Sequence, residues 1–227
     1  PIVYHIMRNF VAHGLHNFVL TLGYRGEQIV DYFLHRAPFL HTDLRIRLGG
    51  AGDLPSIERL GDSGETWEVV LAHTGLDSAT GERLRRVREY LAEDEQFIVT
   101  YGDGLADIDP GKLIAFHQDH GRAATITVVQ ARSQFGHVDF SADGTVTCLE
   151  EKPPLPGWIN GGFFVFDQRV FEYLRPGDSL EIDCLPRMLA DGQLMARPHE
   201  GFWACMDTYK DGMMLNELLE SGSAPWL

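Results

Sequence analysis

The residues of this 227-residue chain best suited to chemistry are carboxylates and a lysine set at the ends of apolar runs. Gly102-Asp103-Gly104 follows the apolar run Phe97-Ile98-Val99-Thr100 and Tyr101. A strand that ends in Gly-Asp-Gly presents one carboxylate at its carboxyl end, where open α/β sheets bind ligands. Gly102 and Gly104 permit a tight turn and let a ligand approach the backbone. A carboxylate in that place suits Mg²⁺, which takes one or two carboxylates together with substrate phosphates. The competing reading is an ordinary turn. Asp207 ends the apolar stretch 202–206 just before a helical stretch. There it also fits a helix N-cap.

Glu150-Glu151-Lys152-Pro153 closes another apolar stretch. Lys152 is a compact point charge suited to phosphate, and Glu151 beside it suits sugar hydroxyls. The alternative is a solvated charge cluster ahead of a proline turn. Asn160-Gly161-Gly162-Phe163-Phe164 places paired glycines at the head of an apolar strand, which fits backbone contact with a ligand or a β-bulge. Thr80-Gly81 opens a helix that carries Arg83, Arg85, Arg86 and Arg88. Helix-start N–H groups with arginine nearby favour anions; a solvated basic face is the alternative. The ten histidines show no metal-ligand spacing, and none is read as catalytic.

The elements that must position these residues alternate between the two periodicities. Helices are expected at 2–13, with Pro1 at the opening, and at 27–34, 81–91 and 110–120. Strands are expected at 18–22, 43–48, 67–72, 97–100 and 124–129, and a loop at 49–65. Strands alternating with helices imply βαβ units and a mostly parallel sheet. After residue 131 the pattern changes. A hairpin is expected over 138–140 and 146–149 around Ser141-Ala142-Asp143-Gly144, then a strand at 161–166. Helices at 168–174 and 183–190, a strand at 202–206 and a helix at 208–219 complete the chain. One α/β domain over 1–227 is the economical reading, with a mixed sheet flanked by helices and a substrate-binding second half from 131.

Composition narrows the partners. Hydrophobic content of 44% and charged content of 23% are those of a globular domain with a sizeable core. A net charge of −14 disfavours nucleic acid and anionic membranes. Any anionic substrate must therefore be met by local cations or a metal. Cys148, Cys184 and Cys205 are odd in number and widely spaced, which argues against a zinc site or a disulfide framework and fits a reducing cytoplasm. No apolar run approaches the roughly 20 residues that span a bilayer.

The motifs carry a resemblance when taken in order. They run from Gly23-Tyr24-Arg25-Gly26, Thr74-Gly75 and Thr80-Gly81-Glu82-Arg83-Leu84 to Tyr101-Gly102-Asp103-Gly104 and Phe135-Gly136. Glu151-Lys152-Pro153, Ile159-Asn160-Gly161-Gly162-Phe163-Phe164, Gly201-Phe202-Trp203 and Met206-Asp207-Thr208 follow. Together they resemble the sugar-1-phosphate nucleotidylyltransferases, in their glucose-1-phosphate cytidylyltransferase branch, essentially from end to end. The resemblance implies a Rossmann-like nucleotide-binding half, 1–130, and a sugar-phosphate-binding half, 131–227. It implies CTP and glucose 1-phosphate as substrates, CDP-glucose and pyrophosphate as products, Mg²⁺ as cofactor, and a homo-oligomer. By position, Asp103 and Asp207 resemble the metal ligands and Lys152 the sugar-phosphate contact. Gly136, Glu151, Asn160 and Gly161 resemble the hexose contacts. Thr80, Gly81, Arg83 and Gly102 resemble the nucleotide contacts. The family's opening strand and Gly-rich phosphate loop have no counterpart here, since Pro1 falls at the family's first long helix; an upstream segment carrying them is expected. The alternatives are a silent sugar-nucleotide-binding subunit and a metal-dependent glycosyltransferase, whose Asp-x-Asp spacing Asp107-Ile108-Asp109 matches.

Overall fold

The computed structural model describes residues 1–36, 43–47, 56–60, 67–133 and 135–227. In chain order the elements begin with α1 (Ile2–Val11), β1 (Asn17–Leu22), α2 (Gly26–Asp31), β2 (Asp43–Arg47), β3 (Ser56–Leu60), β4 (Glu68–His73) and α3 (Thr80–Arg86). Next come β5 (Gln96–Thr100), β6 (Gly104–Ala106), α4 (Pro110–His120), β7 (Ala124–Val129), β8 (His137–Phe140) and β9 (Val146–Glu150). The chain continues through β10 (Ile159–Asp167), α5 (Val170–Tyr173), α6 (Leu185–Ala190), β11 (Leu194–His199), β12 (Trp203–Cys205) and α7 (Tyr209–Glu220). These elements divide into two compact units. The first holds Pro1–Leu15, Ala92–Tyr173 and Leu185–Leu227; the second holds His16–Leu91 and Leu174–Cys184.

The first unit is built on a four-stranded mixed sheet of order β11-β7-β10-β5. β11 runs parallel to β7, and β10 runs antiparallel to both β7 and β5. Phe163, Phe164, Val165 and Phe166 of β10 are all buried, so this strand reads as a continuous apolar run without alternation. The Phe164 and Phe166 rings stack with centroids 5.6 Å apart. Phe97 of β5 meets Phe166 and also Phe171 of α5. Helix α4 packs on β10 and β11, and α6 on β11. The ends of α4 follow from its sequence. Asp109 caps the first turn by accepting from the Lys112 N–H, Pro110 stands just inside it, and Gly121 turns left-handed at its end.

Two strands of this unit were not legible. β11 contains Arg197 and Pro198, which interrupt the apolar pattern. As the outer strand of its sheet among the described residues, it tolerates a proline that cannot donate to a ladder. β6 has only three residues and owes its form to antiparallel pairing with β12. The expected hairpin is present as β8 and β9.

In the second unit β1 and β4 pair in parallel from Asn17↔Glu68 to Leu22↔His73. β2 and β3 form an antiparallel pair. β3 falls inside the stretch expected as loop at 49–65; the rest of that stretch, 49–55 and 61–65, lies outside the described residues. The expected helix over 81–91 is α3 followed by a separate tight turn at Arg88–Leu91. Among the described residues no helix is long and apolar enough to cross a membrane.

Candidate active site

The β6–β12 ladder sets the centre of the site. Its register pairs Cys205 with Gly104, and the Met206 N–H then donates to the Asp103 carbonyl at 2.8 Å. Two carboxylates far apart in sequence thus flank one end of a short ladder. One ligand atom from each of Asp103, Cys205 and Asp207 falls within 4.8 Å of the others. The capping role open to Asp207 is filled by its neighbour. Thr208 accepts from the Asp211 N–H, and Asp211 accepts from the Thr208 N–H, a reciprocal capping box on α7. Asp207 is left with the Cys205 thiol, which donates to its Oδ1 at 3.3 Å.

This donor set fits a divalent cation. Two converging oxygens of like charge, with no lysine or arginine ion pair among the described residues, are what a hard cation satisfies. Cys205 supplies no thiolate. Burial first, then its bond to Asp207 and the charge of Asp103, push its thiol up to about 12.

A second cluster surrounds the head of β10. The Asn160 Oδ1 accepts from the Gly162 N–H at 2.8 Å, and the Asn160 Nδ2 donates to the Tyr101 hydroxyl at 3.2 Å. The Tyr101 N–H donates to the Gly162 carbonyl at 3.2 Å. The Trp203 Nε1–H donates to the Gly161 carbonyl at 2.8 Å. The pairing of β10 with β7 shifts register between Asn160 and Phe164, so the paired glycines do form a bulge. Gly162 has φ 77°. A Cβ on it would lie 2.6 Å from the Tyr101 ring, so glycine is required on both counts. Tyr101 and Trp203 therefore tie the two arms that carry Asp103 and Asp207 to the Asn160–Gly162 bulge.

Beyond β9, the Glu151 carboxylate lies against Gly136, where a Cβ would stand 3.1 Å from its Oε2. Lys152 is exposed and left-handed, with φ 49°. A lysine in that region stores strain, a feature that concentrates at functional sites. The Lys152 carbonyl accepts from Arg132 at 3.3 Å, while its ammonium forms no ion pair among the described residues.

The arginine helix behaves differently. The Arg83 guanidinium donates to the Leu22 carbonyl, the Thr74 hydroxyl and the Leu76 carbonyl. It fills the space beside Gly23, where a Cβ would come within 2.5 Å of it. Arg85 and Arg86 both bind the buried carboxylate of Glu82. That carboxylate also accepts from the Gly177 N–H. Arg85 above all, then Arg86 and the Gly177 N–H, hold Glu82 far below the usual carboxylate range. The Glu82 N–H donates to the Asp178 carbonyl. The Thr80 hydroxyl accepts from the Leu180 N–H and donates to Glu181. Gly81 packs so closely that a Cβ would lie 2.8 Å from the Asp178 carbonyl. Thr80, Gly81 and Arg83 all belong to the second unit, whereas the other candidate residues belong to the first. Gly102 is exposed, with open space where a Cβ would stand.

The Asp-x-Asp spacing of 107–109 does not make a site. Asp107 pairs with His199 at 3.0 Å, and Asp109 caps α4 and pairs with Lys112 at 3.3 Å. Sequence reasoning missed Tyr101 as a partner of Asn160, and Trp203 and Cys205 as neighbours of the site. For Cys205 a signal was present: it lies two residues before Asp207 on the same apolar stretch, and positions two apart in a strand share a face.

The mixed sheet and this paired-carboxylate ladder are those of a nucleotide-handling α/β enzyme, and the family model for nucleotidyl transferases matches residues 1–211. The chain belongs to that family. It is 39% identical over 228 residues to the probable glucose-1-phosphate cytidylyltransferase of Bacillus subtilis (strain 168), covering 100% of this chain and 87% of that protein. It is 40% identical over 229 residues to the glucose-1-phosphate cytidylyltransferase of Salmonella typhi, covering 100% of this chain and 86% of that one. The fold is also that of HddC from Yersinia pseudotuberculosis, with a TM-score of 0.66, 20% identity, and 96% of this chain and 85% of that one covered.

Proposed function

We propose that this protein transfers the cytidylyl group of CTP to glucose 1-phosphate, giving CDP-glucose and pyrophosphate. The observation that carries the reading is the convergence of Asp103 and Asp207, in a family member about 40% identical to glucose-1-phosphate cytidylyltransferases. Asp103 and Asp207 would hold Mg²⁺, which neutralises phosphate charge when bound. Lys152, exposed and without an ion-pair partner among the described residues, contacts the phosphate of glucose 1-phosphate. Gly136, Glu151, Asn160 and Gly161 contact the hexose. Thr80, Gly81, Arg83 and Gly102 belong to the nucleotide side; the Arg83 bonds to Leu22 and Thr74 support a shaping role there, at the turn that begins with Gly23.

The chemistry requires little from side chains beyond position and charge. The attacking group is a phosphate oxygen already anionic, so no general base is needed. It forms a bond to the α-phosphorus of CTP as the bond to pyrophosphate breaks in line. A nucleotidyl-enzyme is no part of this reading, since the displacement needs no enzyme nucleophile and the Cys205 thiol is turned to the Asp207 carboxylate. The cytidine preference rests on the named relatives.

The division into a nucleotide half, 1–130, and a sugar-phosphate half, 131–227, belongs to the same reading. So does a homo-oligomer, which the exposed Phe140 and Leu149 of the hairpin support. The three cysteines, odd in number and widely spaced at 148, 184 and 205, support a reducing cytoplasm. Pyrophosphate release from CTP and glucose 1-phosphate, with UTP, dTTP and GTP in parallel and with EDTA as control, tests the reading. Turnover without a divalent metal, or none with glucose 1-phosphate, overturns it. With a chiral α-thiophosphate analogue of CTP, inversion at phosphorus is expected.

A further inference from the structure

We propose that Tyr101 is a positioning residue for the hexose site, its hydroxyl fixing the side-chain amide of Asn160 in one orientation. This rests on the reading of Asn160 as a hexose contact. The orientation follows from hydrogen-bond chemistry. The Gly162 N–H can only donate, so the group facing it at 2.8 Å must be the amide oxygen of Asn160. The amide nitrogen is then directed to the Tyr101 hydroxyl at 3.2 Å, which accepts. With both ends tethered, the amide cannot flip. One N–H and one oxygen lone pair remain for a ligand, and their directions are set.

The tyrosine is itself held. Its backbone N–H is bonded to the Gly162 carbonyl, and its ring lies where a Cβ on Gly162 would stand. The ring meets Phe164 edge to face at 5.8 Å. The hydroxyl is therefore presented from a fixed support, and only its oxygen links this support to the amide. An amide with one tether instead of two must be ordered by the sugar on binding. That cost weakens glucose 1-phosphate without touching the nucleotide.

Tyr101→Phe keeps the ring and removes the oxygen. We compare it with Asn160→Ala and the double variant, measuring KM for each substrate at saturating levels of the other, together with the melting temperature. Tyr101→Phe is expected to raise the KM for glucose 1-phosphate about fivefold, the scale of one neutral hydrogen bond. The KM for CTP and the melting temperature are expected to stay unchanged. Asn160→Ala should raise the same KM at least as far, and the double variant no further than Asn160→Ala alone. If Asn160→Ala raises that KM and Tyr101→Phe does not, Tyr101 has no positioning role and the hexose reading stands. If Asn160→Ala leaves it unchanged, the hexose reading falls and the proposal with it. Equal rises in both KM values, or additive losses in the double variant, make Tyr101 a general structural residue and overturn the proposal.

Discussion

The arginine helix α3 and the β6–β12 ladder both carry charges at motif spacing, and they use them in opposite ways. On α3, the hydrogen bonds of Arg83, Arg85 and Arg86 go to Leu22, Thr74, Leu76 and Glu82. The N–H of Glu82, in the first turn, is taken by the Asp178 carbonyl. On the ladder, Asp103 and Asp207 come together with a thiol and with no lysine or arginine ion pair among the described residues. A charged residue in a recognisable motif is thus not in itself a ligand site. What separates the two regions is hydrogen-bonding capacity left open.

The sharpest way to break this comparison is at the ladder. Asp103→Asn and Asp207→Asn should each lower kcat by about 100- to 1,000-fold, the scale of losing one electrostatic contact to a transition state. Their melting temperatures should hold, since α7 is capped by Thr208 and not by Asp207. Near-normal turnover at saturating Mg²⁺ in either variant removes the carboxylate from the site.

Lys152→Ala should raise the KM for glucose 1-phosphate by about tenfold to a hundredfold and leave that for CTP nearly unchanged, as expected for one charge-assisted contact. Lys152→Gly separates charge from strain. It loses the same contact, yet relieves the left-handed backbone at φ 49°. Equal KM effects on both substrates return Lys152 to the solvated surface.

On α3 the expected loss is of stability. Glu82→Gln leaves Arg85 and Arg86 without their carboxylate and should cost about 2 kcal/mol in urea unfolding. That figure is discounted from the cost of breaking a wholly buried pair because the two arginines are 38% and 47% exposed. A variant as stable as the parent would show that α3 does not depend on this carboxylate.

The smallest effect concerns His117, whose Nδ1 lies 2.9 Å from the Thr125 hydroxyl in the core. Burial first, then the nearby His120, lowers its pKa below the ordinary imidazole value. The unfolded chain therefore binds the proton more readily than the folded one. The stability from a neutral His117 is fully present above about pH 6.5 and declines as pH falls below it. Urea unfolding at several pH values should show this slope, and His117→Gln should flatten it.

How far the sequence reaches depends on where each element gets its definition. Helix α4 was legible at both ends because Asp109-Pro110 and Gly121 are local signals. The hairpin was legible from its alternation and its Ser-Ala-Asp-Gly turn. β11 was not, because Pro198 is acceptable only on an outer strand, and that position is set by the sheet. The aspartates could each be seen at a strand end. Their convergence could not, since it arises from pairing three residues of β6 with three of β12. The Thr80–Arg83 motif was legible as a motif, but its engagement by residues 174–184 depends on contacts distant in sequence.

The division of the chain also bears on the order in which the molecule is made. The second unit encloses Leu174–Cys184, separated from His16–Leu91 by the whole of Ala92–Tyr173. During synthesis Glu82 emerges long before the Gly177 N–H that completes its set of donors. The first unit likewise awaits Leu185–Leu227 to supply β12 and the second aspartate. The second unit cannot be complete before Cys184 is made, and the first only after Leu185–Leu227 follow. Neither unit is therefore a finished stretch of chain until most of the protein is made, and a protein truncated before Leu174 should leave both units incomplete.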